Sequence, residues 1–227
     1  MIRVNKGKKG TMYFIGGLAR TGKTTIAEKV ARKGSMLPIS ADAIRSGTRN
    51  LLIGEYRTSM EKISFKTIAT FRRAGSSKIY KKRFGRNDQS EDELAWESVI
   101  GLIHAYDGKP GKGGYHLLVE GVAVTPEHLK ALKLKNLNIK AAFIGYSHPS
   151  HVESILTHAK KKKDWVHQWI KEGWGNEADV HGWVRTGIIQ SAKMKKMSKR
   201  FGYGYFDVAE LPFEKHVQAV TKYLLKK

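Results

Sequence analysis

Eight consecutive residues, Gly17, Leu18, Ala19, Arg20, Thr21, Gly22, Lys23 and Thr24, spell G-x-x-x-x-G-K-[ST], with Thr25 directly after. This spacing makes a phosphate cradle. Its glycines let the backbone curl until several N–H groups point inward at phosphate oxygens. Lys23 is placed to reach the β- and γ-phosphates of a nucleoside triphosphate, and the Thr24 hydroxyl to take a position on Mg²⁺. The motif needs a strand before it and a helix behind it. The apolar run at 12–15 supplies the first, and Ile26, Ala27, Val30 and Ala31 give the second its apolar face. The alternative is a chance glycine-rich turn, which that context disfavours.

Two carboxylates could work beside the cradle. Asp42 and Arg45 follow a short apolar strand, in the run Ser40-Ala41-Asp42-Ala43-Ile44-Arg45. In an open parallel sheet, ligands sit outside the carboxyl ends of the strands, so Asp42 should face the cradle. There it would accept the proton of an acceptor hydroxyl or orient it. Arg45 and Arg49, three and seven residues on, suit an anionic group of the acceptor. The alternative for Asp42 is a helix N-cap. Glu120 closes the apolar run Leu117-Leu118-Val119 and is placed to hold Mg²⁺ through water; the alternative is a half-exposed strand end. Arg185 is expected to lie after a lid and to swing onto the γ-phosphate. Trp165 and Trp169 read as packing more readily than as base-stacking residues, and His148 and His151 do not form a convincing metal pair.

The elements that position these groups read as an α/β fold. Short apolar runs at 12–15, 36–39, 116–119, 139–144 and 205–208 alternate with helical stretches. That predicts a five-stranded parallel sheet flanked by helices. The 227 residues fit one domain. Residues 1–10 read as a basic arm, 57–107 as a helical insertion on the substrate side, and 157–185 as a lid. Ser90 with Glu93 forms a capping box ahead of an apolar stripe of Leu94, Ala95, Val99, Leu102, Ile103 and Tyr106. Phe213, Val217, Val220 and Leu224 mark the last helix, and a helical stretch at 183–197 carries Arg185.

The net charge of +22 is extreme, and no cysteine is available for disulfides or thiolate metal sites. No apolar run approaches a membrane span and no secretory signal is visible, so a cytoplasmic protein without membrane partner is expected. The basic field admits nucleic acid as a partner. Lysines and arginines crowd residues 57–86, where Glu61 is the lone acid, and recur at 160–163 and 193–200. Oligomeric state leaves no mark in the sequence.

Three matched pieces resemble the P-loop small-molecule kinases, most closely the 2-phosphoglycerate kinase-like group. They are Gly16-Gly17 with Gly22-Lys23-Thr24, the run Ser40-x-Asp42-x-Ile44-Arg45-x-x-x-Arg49, and Val119-Glu120-Gly121-Val122 followed by Pro126. Trp183-Val184-Arg185 looks like that group's late arginine-bearing helix. The resemblance implies a nucleoside-monophosphate-kinase-like fold, ATP and Mg²⁺, and a small acidic acceptor. The Asp-x-x-Arg pair is shared with polynucleotide 5′-kinases and zeta-toxin-like kinases. A polynucleotide 5′-hydroxyl kinase is therefore the first alternative. An NTP-gated nucleic-acid-binding module is the second.

Overall fold

A computed structural model of the chain describes residues 10–45, 91–107, 116–132, 134 and 137–226. Arg49, Ser90, most of the expected helical insertion, including the basic segment 57–86, and nearly all of the N-terminal arm lie outside the described residues.

Five strands form one sheet: β1 (Gly10–Gly17), β2 (Met36–Ser40), β3 (His116–Gly121), β4 (Leu137–Gly145) and β5 (Gly204–Asp207). Their order is β2-β3-β1-β4-β5 and every pairing is parallel. All five expected strands are present; β1 and β4 extend beyond their expected bounds, and β5 begins and ends one residue earlier. Alternation along the strands divides the core. Met12, Phe14, Leu117, Val119, Ala141 and Phe143 face one side, and Ile15, Leu118, Ala142 and Ile144 face the other. Both faces are apolar because helices cover both, as a parallel sheet requires.

On the second face lie α1 (Lys23–Gly34), through Ile26, Ala27 and Val30, and α7 (Phe213–Leu225), through Val217, Val220 and Leu224. Phe213, expected in that stripe, is instead 43% exposed. Its ring lies against Gly22, where an added Cβ would meet it at 2.6 Å. On the first face, α2 (Glu91–Asp107) buries Trp96, Val99 and Ile103. Trp96 therefore belongs to the buried stripe, although its polar neighbours hid it. Its ring stacks on His128 of α3 (Pro126–Ala131), with centroids 4.9 Å apart.

The segment expected as a lid, 157–185, lies within a unit made of α4 (His151–Lys162), α5 (Trp165–Lys171) and the first turns of α6 (Glu177–Phe201). It has its own core of Val152, Ile155, Ala159, Val166, Val180 and Val184, joined by Tyr146 from the end of β4 and Leu18 from the phosphate loop. The helix carrying Arg185 begins at Glu177, well before the expected 183. An Asn176–Asp179 capping box starts it there. Among the described residues, no helix is long and apolar enough to cross a membrane.

Candidate active site

The C-terminal ends of β1, β3 and β2 lie side by side. Ile15 pairs in register with Glu120, Gly16 with Gly121, and Ser40 with Glu120. The loop 17–22 leaves β1 at this edge and turns into α1. Gly17 has φ 138°, and a Cβ there would run into the Ile144 carbonyl oxygen. Arg20 (φ 66°) and Gly22 (φ 78°) are left-handed, which gives the loop the tight curl that a cradle of main-chain N–H groups requires. No acidic residue occupies the first turn of α1, which leaves its positive end uncompensated. Gly17→Ala is expected to cost about 2–4 kcal/mol, from left-handed strain and overpacking together. Thermal unfolding checks this, and an unchanged midpoint would reject the tight approach to β4.

Lys23 is 6% exposed and donates from Nζ to the Leu18 carbonyl oxygen at 2.6 Å, spanning the loop. Burial pulls its ammonium below the ordinary lysine value. The charges of Asp42 and Glu120 favour the protonated form, and Arg45 opposes it. These four groups thus share one electrostatic site. Glu120 is 3% exposed, not half-exposed. Burial pushes its carboxyl above the usual range, against a Ser40 hydrogen bond and the Lys23 charge; Asp42 adds to the rise, and the Thr24 hydroxyl counters it. Thr24 Oγ1 lies 3.5 and 3.4 Å from the two Glu120 oxygens. That is long for an O–H···O bond, usually about 2.7–2.8 Å. A buried carboxylate beside a hydroxyl at the edge of hydrogen-bond range is a donor set that fits a hard dication. The glycine-bent loop, with the Lys23 ammonium beneath it and the uncompensated positive end of α1 behind it, likewise fits a polyphosphate.

Asp42 stands across from the loop. Its Oδ1 accepts the Val122 N–H at 3.1 Å and lies 3.8 Å from Arg45 Nη2. The helical segment at 41–45 is capped by Ser40, whose hydroxyl accepts the Ala43 N–H at 3.3 Å. Asp42 therefore has no N-cap duty. Gly121 (φ 151°) allows this approach, since a Cβ there would press on Ala41 and Asp42.

The fold brings Lys23, Thr24, Asp42, Arg45 and Glu120 together. Arg185 is exposed in the third turn of α6, and no hydrogen bond or ion pair ties it to the site's described residues. Lys160 to Lys163 are exposed at the end of α4. Trp169 packs on Trp183, centroids 4.8 Å apart, in line with the packing reading. His148 bonds Ser150 Oγ at 2.7 Å, and His151 stacks on Tyr146. Burial lowers the His151 imidazole below its ordinary value, although a hydrogen bond to the Arg20 backbone favours its charged form.

Two features escaped the sequence reading. Ser40 was seen only as a neighbour of Asp42, yet it both caps the helix and supports Glu120. The side chain of Arg20 bonds Asp164 at 2.6 Å and lies 5.0 Å from the Trp165 ring centroid. A lone acid after four lysines, Lys160 to Asp164, was the available signal for that pair.

No family model matches the chain, and no curated protein matches it. Among solved structures it is similar to a shikimate kinase from Bacteroides thetaiotaomicron. The two are 15% identical, with 93% of this chain and 94% of that chain covered and a TM-score of 0.51. The chain has the P-loop kinase fold. Lower scores relate it to a sugar kinase from Janibacter sp. (14% identity, 95% and 94% covered, TM-score 0.49) and to dephospho-CoA kinase from Campylobacter jejuni (13%, 94% and 96%, 0.48). At 15% identity the likeness to the shikimate kinase gives the fold alone, and the site residues must carry any reading of the chemistry.

Proposed function

We propose that this protein is an ATP-dependent kinase that transfers the γ-phosphoryl group to an oxygen of a small anionic acceptor of the 2-phosphoglycerate type. One observation carries the reading: a carboxylate, Asp42, is fixed by the Val122 N–H at the strand ends beside the buried Lys23 of a glycine cradle. ATP, rather than GTP, and the acceptor class rest on the resemblance of the three motif pieces.

The cradle N–H groups and Lys23 hold the triphosphate tail. Lys23 exchanges the Leu18 carbonyl for phosphate oxygens, which offset its buried charge better than a neutral carbonyl. Thr24 and Glu120 would hold Mg²⁺, which when bound supplies positive charge to the phosphate oxygens. Asp42 orients the acceptor hydroxyl and takes its proton as the oxygen attacks. If the acceptor oxygen belongs to a carboxylate, there is no proton to take and Asp42 positions only. Arg45, and Arg49 beyond the described residues, bind the acceptor's anionic group. Arg185 and the lid lysines serve the transferring phosphoryl group only if the α4–α6 unit closes. Catalysis in such a site is alignment and charge neutralisation.

A nucleotide-consumption screen tests the reading. It sets ATP and GTP against phosphorylated acids, sugars, nucleosides and 5′-hydroxyl oligonucleotides at two salt concentrations. Transfer to a small phosphorylated acid is the expected result. Salt-sensitive transfer to oligonucleotides alone would replace the acceptor class. Nucleotide binding with no transfer to any of them would reject the kinase reading.

A further inference from the structure

Arg20 is the one residue of the phosphate loop whose side chain reaches into the α4–α6 unit as an ion pair. Its Nη1 donates to Asp164 Oδ2 at 2.6 Å. The other Asp164 oxygen, Oδ1, accepts the Val166 and His167 N–H groups at 2.9 and 3.4 Å, capping α5. A two-pronged Arg–carboxylate pair is therefore blocked, because one prong belongs to the helix. Nε and Nη2 of Arg20 are buried and have no hydrogen-bond partner among the described residues. The Trp165 ring, 5.0 Å away, offers the cation an aromatic face but no acceptor for those N–H groups.

Two buried guanidinium nitrogens left without acceptors, on a side chain 20% exposed, are costly as a purely structural device. Hydrogen-bonding both remaining nitrogens needs an acceptor with several oxygens in one plane of approach, which is the chemistry of a phosphate. The position fits. Arg20 has φ 66°, two residues before Gly22 (φ 78°) and three before Lys23, on the phosphate loop itself.

We propose that Arg20 is a phosphate-binding side chain of the P-loop, held by Asp164 and Trp165 until a nucleotide's polyphosphate tail engages its Nε and Nη2. This rests on the P-loop reading above. It places an arginine that serves the phosphates on the loop itself, in addition to Arg185 on the exposed α6 surface. Asp164 can keep Nη1 while it sets a negative charge beside the phosphates, so loss of that charge and loss of the guanidinium should have opposite effects on affinity.

The test is calorimetric binding of the magnesium complex of a β,γ-imido ATP analogue to the full chain. Arg20→Met is expected to weaken binding about 10- to 100-fold, the worth of one or two charge-assisted hydrogen bonds. Arg20→Lys, which keeps charge without the fork, should fall between. Asp164→Asn keeps an oxygen for the α5 cap and removes the competing charge, so it should bind as tightly as wild type or tighter. Thermal unfolding identifies any variant that fails to fold, and Arg20→Lys then stands in for Arg20→Met. Wild-type affinity in Arg20→Met overturns the assignment, as does an equal loss in Asp164→Asn, which would make the pair a latch only. If the wild-type protein binds no triphosphate at all, the P-loop reading itself fails and this assignment with it.

Discussion

Lys23→Ala is expected to reduce phosphoryl transfer by about 10³-fold or more. Removing a single preorganised donor from a transferring centre costs roughly 10²–10³-fold, and Lys23 brings a full charge as well. Its environment makes the loss larger. The ammonium is 6% exposed and lies within the fields of Asp42 and Glu120. Without it, those two carboxylates face the incoming triphosphate with Arg45 as their remaining nearby cation in this group. The site becomes repulsive to its substrate as well as short of a donor. The loop also loses the bond from Nζ to the Leu18 carbonyl that spans it. Nucleotide affinity by calorimetry and turnover by nucleotide consumption should both fall. Wild-type values in both would remove Lys23, and the cradle with it, from the phosphate site.

Asp42→Asn separates binding from chemistry. The amide keeps an oxygen that accepts the Val122 N–H, so the side chain should stay where the 3.1 Å bond puts it. What is lost is basicity and charge. Transfer to a hydroxyl acceptor is expected to fall about 10²–10⁴-fold, the usual contribution of a positioned base. Nucleotide affinity should stay within about 2-fold, because Asp42 meets the acceptor and not the triphosphate. A loss confined to about 10-fold would instead mark a positioning role toward a carboxylate acceptor, where no proton is taken. Unchanged turnover would reject both roles. The Arg45 pair, 3.8 Å from the same carboxylate oxygen, predicts a weaker grip on the acceptor as well, read as a higher KM.

Much of this arrangement was legible in the amino-acid order because its causes are local. A glycine-rich turn between an apolar strand and an amphipathic helix folds the same way in most contexts, so the cradle, Lys23 and Thr24 could be placed at once. Apolar runs alternating with helical stretches implied a parallel sheet, and the five strands appear where the runs are. Asp42 and Glu120 were within reach for the same reason: Asp42 follows the end of β2 and Glu120 lies at the end of β3, and the ends of parallel strands in such a sheet meet at one edge. The capping box at Asn176 and Asp179 is just as local, yet it was overlooked, and the helix carrying Arg185 was placed six residues too late.

The remainder required contacts between distant parts of the chain. Nothing near Asp42 says that Ser40 takes the cap and leaves the carboxylate to Val122, eighty residues away. Trp96 looked polar by its neighbours and is buried because α3 brings His128 against it. Phe213 fits a helical stripe by spacing but rests on Gly22, because the loop and the start of α7 converge there. Arg20 and Asp164, 144 residues apart, meet only when the α4–α6 unit packs on the phosphate loop. The sequence by itself determined which residues could hold a triphosphate, since that depends on backbone turns set by neighbouring residues. Tertiary structure alone decided which charges face one another, since burial, charge pairing and partner choice follow from distances that chain order does not contain.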